Sequence, residues 1–126
     1  MNPHADGGPV LVVDDEAPIR AIVTYLLQDE GYRVDGACHG EAALEAIARE
    51  APRAILLDMR MPVMDGWAFL SAYRSMLGPH APIIVMTATK ISAEWAAEVQ
   101  ADGWLSKPFE MTALLETVEA LAGRAS

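Results

Sequence analysis

Apolar residues in this chain follow two rhythms. Short unbroken runs, Val10-Leu11-Val12-Val13, Ala54-Ile55-Leu56-Leu57 and Ile83-Ile84-Val85-Met86, alternate with longer stretches where apolar positions recur every three or four residues. The runs predict strands buried on both faces of a parallel sheet, and the longer stretches predict amphipathic helices. After the first strand, Ala17-Pro18 opens a helix with Pro in its first turn, where the missing N–H costs nothing. Ile19, Ile22, Val23, Leu26 and Leu27 carry its stripe, and Gly31 closes it. Tyr32 to Ala37 is expected as the second strand, and Glu41 to Glu50 as an Ala-rich helix stopped by Pro52.

The third strand reaches Asp58, and a loop from Arg60 to Gly66 enters a helix bearing Trp67, Phe69, Leu70 and Tyr73. Pro82 to Thr87 is the fourth strand, and Ser92 caps a helix running to Ala101 with Ile91, Trp95 and Val99 as its stripe. Trp104-Leu105-Ser106 forms the fifth strand, ending at Lys107-Pro108. Thr112 to Leu121 lies in a last helix with Leu114, Leu115, Val118 and Leu121 inward. Five βα units in alternation imply an α/β domain: a doubly wound parallel sheet with helices on both faces. The expected division is a flexible lead-in over 1–9, one domain over 10–122 and a C-terminal end over 123–126.

Composition narrows the function. At 126 residues the chain suits one domain with a real core, and 52% hydrophobic residues exclude a disordered chain. No apolar run is long enough to cross a bilayer. No basic region followed by an apolar stretch marks a signal peptide, and the single Cys38 can form no internal disulfide; both suggest the cytoplasm. A formal net charge of -9 argues against direct nucleic-acid binding and against anionic membranes.

Chemistry gathers at the strand ends. The first strand runs into Asp14-Asp15, the third into Asp58 and the fifth into Lys107. In an open α/β sheet the carboxyl ends of the strands share one edge, where ligands bind. Like charges about 4 Å apart repel by roughly 4 kcal/mol at an effective dielectric near 20. A hard divalent cation such as Mg²⁺ relieves that repulsion and keeps sites for water and phosphate. Asp14 or Asp15 could instead simply cap the helix opening at Ala17. Asp58 is the candidate nucleophile for a phosphoryl group, Lys107 a point charge beside it, and Thr87 a hydroxyl at the same edge. The histidines His4, His39 and His80 show no metal spacing and are expected at the surface. Met59, Met61, Met64 and Met86 read as packing.

Val13-Asp14-Asp15-Glu16, Leu57 to Gly66, Met86-Thr87-Ala88 and Trp104 to Phe109 together resemble the receiver domain of two-component response regulators, in particular stand-alone receivers of the chemotaxis type. The resemblance spans Val10 to about Leu121. It implies a flavodoxin-like fold with strand order 2-1-3-4-5 and Asp58 as phosphoacceptor. It implies a Mg²⁺ site from Asp15 and Asp58 directly, Asp14 through water, and the backbone carbonyl of Arg60. Thr87, Ala88 and Lys107 would meet the phosphoryl group, and Lys107-Pro108 is the candidate cis peptide. A histidine kinase or histidine phosphotransfer protein would be the donor. An unknown downstream protein would read the face of the fourth helix, fifth strand and fifth helix, and a homodimer stays open.

Two positions depart from the family's habit. Trp104 stands where an aromatic ring, mostly Tyr or Phe, swings inward with the Thr; an indole is larger, so Trp104 is either a switch or an interface anchor. Arg60, two residues after Asp58, could shield the acyl phosphate from water or lie solvated. Three rivals share some of these features. A haloacid dehalogenase-type phosphatase would carry a second acid where Arg60 stands. A flavin binder would need a hydroxyl-rich loop in place of Asp14-Asp15. A constitutive docking receiver would keep the fold without the switch; intact Asp58, Thr87 and Lys107 argue against it but leave it open.

Overall fold

The computed structural model describes residues 7–59, 65–88 and 93–124. Along them run β1 (Val10–Val13), α1 (Ala17–Asp29), β2 (Val34–Ala37), α2 (Gly40–Arg49) and β3 (Ala54–Asp58). There follow α3 (Gly66–Arg74), β4 (Ile83–Thr87), α4 (Ala93–Val99), β5 (Gly103–Ser106) and α5 (Met111–Ala122). All strand pairings are parallel, in the order β2-β1-β3-β4-β5. The expected doubly wound, flavodoxin-like sheet is therefore present.

The period of two along each strand divides the core. Leu11, Val13, Ile55, Leu57, Ile83 and Val85 pack with Ala43, Ile47, Phe69 and Leu70 of α2 and α3. Val10, Val12, Leu56, Ile84 and Met86 pack with Val23, Leu27, Leu114 and Val118 of α1 and α5. Because both faces are covered there, β1, β3 and β4 read as nearly continuous apolar runs. The same covering leaves only the strand ends for polar chemistry.

Several boundaries differ from the sequence expectation, each for a local reason. Tyr32 and Arg33 precede β2 instead of opening it. The Tyr32 N–H bonds the Leu27 carbonyl at the end of α1, and its hydroxyl donates to the Gly123 carbonyl at 2.6 Å. Helix α4 ends at Val99 and not Ala101, because Gln100 turns to φ +54. Ser92, the expected cap, lies outside the described residues, as does Ile91.

The packed chain also extends past both expected domain limits. Gly8 and Pro9 are buried, and the Pro9 carbonyl accepts the Arg53 N–H at 2.8 Å. At the other end Arg53 donates to the carbonyls of Ala122 and Arg124, with its guanidinium 5.2 Å from the centre of the Tyr32 ring. Residues 1–6 of the expected lead-in, and 125–126, lie outside the described residues.

Candidate functional site

The C-terminal rim of the sheet is built by three adjacent strands, β1, β3 and β4, with β5 beside them. Strand β1 delivers Asp14, fully buried, and then the exposed Asp15; β3 delivers Asp58, 7% exposed. Each of the three acids offers a carboxylate oxygen within 4.8 Å of the others. From the far side of the rim Lys107 reaches in: its Nζ lies 2.7 Å from Asp14 Oδ2 and 3.5 Å from Asp58 Oδ2. Burial pushes the Lys107 ammonium toward losing its proton. The hydrogen bond it donates to Asp14 and the charges of Asp58, Asp14 and Glu16 outweigh that, so its pKa rises above the ordinary lysine value. Lys107 is held charged among acids.

Asp14 is anchored through both its backbone and its side chain. Its N–H bonds the Ala37 carbonyl of β2 at 3.1 Å, and its own carbonyl accepts Arg20 Nη1 at 2.8 Å. Oδ1 accepts the Glu16 N–H at 2.9 Å, and Oδ2 takes Lys107. This corrects the capping expectation: the N-cap of α1 is Glu16, which makes no side-chain cap hydrogen bond. Asp14 ties down its own loop instead.

Thr87 closes β4, 7% exposed, and pairs in register with Ser106; its carbonyl accepts the Lys107 N–H at 2.7 Å. That bond brings Lys107 to the rim, and the Lys107–Pro108 peptide after it is cis. Ala88 follows, exposed. Trp104 is half-buried and packs against the core on the α2 and α3 side, in register with Val85. Arg60, with its carbonyl and guanidinium, lies outside the described residues, as do Met61, Met64 and His4; the side chain of Trp95 is likewise not described.

The chain returns to the rim through Asp65-Gly66. Asp65 caps α3 by accepting the Ala68 N–H at 2.9 Å, and the Gly66 N–H bonds the Met59 carbonyl at 3.2 Å. A Cβ on Gly66 would meet Met59 Cα at 2.6 Å, so only glycine lets α3 start this close to the residue after Asp58.

Three contributors escaped the sequence. Glu16 places Oε2 4.0 Å from Lys107 Nζ, a fourth acid at the rim. Arg20 holds the Asp14 carbonyl from α1. His39 is not a bland surface residue: half-buried, it caps α2, with Nδ1 accepting the Ala42 N–H at 3.0 Å. Its place directly before an Ala-rich helix was the available signal.

A cluster of hard oxygen donors with an ammonium beside it, at the rim of a 2-1-3-4-5 parallel sheet, defines a class of α/β proteins whose strand-end pocket fits a metal ion and a phosphoryl group. Residues 10–119 match the family described as response regulator receiver domain, and the chain belongs to that family. It is similar to response regulator MprA of Mycobacterium leprae (strain TN), 38% identical over 117 residues, covering 91% of this chain and 51% of the relative. Among solved structures, the chemotaxis response regulator CheY4 of Vibrio cholerae is 35% identical with a TM-score of 0.80, covering 90% of this chain and 98% of that one. The receiver domain of NtrX from Brucella abortus is 32% identical with a TM-score of 0.80, over 93% and 99% of the two chains.

This chain thus spans about half the length of the curated relatives it matches. It is the receiver domain of a two-component response regulator, whose general function is that of a phosphorylation switch and whose family implies a histidine kinase partner. Among the described residues, no helix is long and apolar enough to cross a membrane.

Proposed function

We propose that this domain is switched by transfer of a phosphoryl group from a histidine kinase or histidine phosphotransfer protein to Asp58. The observation that carries this reading is the position of Asp58: a nearly buried carboxylate, 3.5 Å from the Lys107 ammonium, with Asp14 and Asp15 clustered against it. A nucleophilic carboxylate in that setting is poor at repelling an incoming phosphate only if positive charge is supplied. Asp14, Asp15 and Asp58 present the hard oxygens that Mg²⁺ prefers, and their number fits its habit of retaining water and phosphate as further ligands. When bound there, Mg²⁺ supplies charge to the oxygens of the transferring group.

In the transfer, an Asp58 oxygen forms a bond to phosphorus while the P–N bond to the donor imidazole breaks. The electron pair leaves with the imidazole, which takes up a proton. Lys107 balances charge on the phosphoryl oxygens, and Asp14 keeps Lys107 pointing into the pocket. The Thr87 hydroxyl and the Ala88 backbone, at the end of β4, would then engage the acyl phosphate. Hydrolysis at the same site returns the domain to rest, so its chemistry is confined to its own phosphorylation and dephosphorylation.

The output is a shift between two conformations. Trp104 on β5, half-buried beside Thr87's strand, is the group through which that shift would reach the face of α4, β5 and α5, where a downstream protein binds. The lone Cys38, exposed and without an internal partner, agrees with a reducing cytoplasm.

Acetyl phosphate supplied with and without Mg²⁺, followed by intact-protein mass spectrometry, tests the reading. Wild type should gain one phosphoryl group only with Mg²⁺, and Asp58→Asn should gain none. Equal labelling of Asp58→Asn, or an unlabelled wild type with both acetyl phosphate and a kinase, overturns it.

A further inference from the structure

The β1–α1 loop carries two of the three clustered acids, yet the helix it enters has no side-chain cap at Glu16. Besides the Asp14 carboxylate, which accepts the Glu16 N–H, the loop is held by Arg20, one turn into α1. Its Nη1 donates to the Asp14 main-chain carbonyl at 2.8 Å, while its own N–H bonds the Glu16 carbonyl at 3.0 Å. The half-buried stem lies over the edge strand: a Cβ on Gly36 would have Arg20 Cδ as its nearest neighbour, at 4.0 Å. Arg20 therefore spans from β2 across α1 to the carbonyl of the buried acid.

We infer that Arg20 is a positioning residue for the cation site: by clamping the Asp14 carbonyl it fixes the backbone that aims the Asp14 and Asp15 carboxylates at Asp58. This rests on the metal and phosphoacceptor roles proposed above and adds a residue that touches neither ion nor phosphate. The clamp is strong for its kind, because a charged donor to a carbonyl outlasts a neutral one. It acts on the main chain, so the clamp itself occupies no carboxylate oxygen. Residues that orient metal ligands commonly matter to affinity nearly as much as the ligands do.

Charge and position predict opposite signs, which makes the inference testable. A guanidinium bonded to the Asp14 carbonyl brings positive charge toward the cation site, so if its charge were its whole effect, removing it would tighten Mg²⁺ binding. If it positions the loop, removing it weakens binding. The experiment is calorimetric titration of Mg²⁺ into the full chain as wild type, Arg20→Met and Arg20→Gln, paired with labelling by acetyl phosphate across Mg²⁺ concentrations.

Both variants should weaken Mg²⁺ roughly tenfold and raise the half-saturating Mg²⁺ for labelling by the same factor. The rate at saturating Mg²⁺ should stay near that of wild type, because the bound ion then orders the loop. Unchanged or tighter Mg²⁺ binding overturns the assignment. A lower rate at saturating Mg²⁺ with unchanged half-saturation overturns it too. If Arg20→Met fails to fold, Arg20→Gln decides by the same readings. A wild type that binds no Mg²⁺ sinks the underlying reading and this inference together, whereas Mg²⁺-dependent wild-type labelling with indifferent variants sinks the inference alone.

Discussion

Lys107 and Asp14 stand 93 residues apart in the chain and 2.7 Å apart in the fold, and the aspartate of the pair is fully buried. Asp14 depends on that ammonium, whereas Lys107 also has Asp58 at 3.5 Å. Breaking a buried pair by deleting one partner strands the other charge, at about 3 kcal/mol or more. Lys107→Met should therefore lower stability by about 3 kcal/mol in metal-free buffer, read from urea unfolding. Added Mg²⁺ should restore part of that loss, since it offers the acids a second source of positive charge. Undiminished stability without Mg²⁺ would refute the weight assigned to the Lys107–Asp14 pair.

Asp15 gives the opposite sign. It is exposed and belongs to the three-carboxylate cluster, and among the described residues no ion pair to it is seen like that of Lys107 with Asp14. Unit charges about 4 Å apart in a water-like medium interact by about 1 kcal/mol. Asp15→Asn should raise metal-free stability by about that amount while abolishing most of the stabilisation that Mg²⁺ confers on wild type. Thermal unfolding at matched low ionic strength, with and without Mg²⁺, checks both halves.

Gly66 shows how backbone shape serves the rim. Its hypothetical Cβ would sit 2.5 Å from Met59 Sδ and 2.6 Å from Met59 Cα; the sulfur could move, but the backbone cannot without disturbing Asp58 next to it. Gly66→Ala should cost about 1–3 kcal/mol, the usual penalty for overpacking a closed site. Labelling by acetyl phosphate should slow as well, because α3 must retreat from the residue that follows the phosphoacceptor. A slower labelling rate in folded protein, judged by circular dichroism, separates displacement of Asp58 from simple unfolding.

How much of this was legible beforehand follows from what kind of signal each feature leaves. Strands buried on both faces write unbroken apolar runs, so β1, β3 and β4 and the acids at their ends could be read directly, and alternation with helices implied the parallel sheet. The partner of Asp14 could not be read from its neighbours, which suggested a helix cap; the ammonium that claims it arrives from the other end of the chain. Arg20 and Arg53 leave no pattern at all, because both work through long side chains to main-chain carbonyls, and any residue can supply a carbonyl. Tyr32 looked like strand for its ring, whereas its hydroxyl, bonded to Gly123, decides its place. His39 was hidden by chemistry: a neutral imidazole nitrogen accepts like a capping oxygen but is rarer in that role.

Tyr73 links stability to alkaline pH. Its ring is buried at the end of α3, and its hydroxyl oxygen accepts the Ala81 N–H at 2.7 Å. Burial pushes the phenol pKa above its ordinary value, against a smaller downward pull from that backbone bond. A pKa raised in the folded state means that the folded protein holds this proton more tightly than the unfolded chain. The stability so gained is whole below about pH 10, the unfolded value, and is lost as pH climbs through the folded value. Tyr73→Phe should flatten part of the alkaline loss of stability. Part should remain, because burial also raises the Tyr32 phenol. Near neutral pH the same substitution should cost about 1–2 kcal/mol, as the Ala81 N–H loses its acceptor. Urea midpoints for wild type and Tyr73→Phe from about pH 7 to about pH 11 test both signs at once, and parallel curves would refute the assigned role of the phenol.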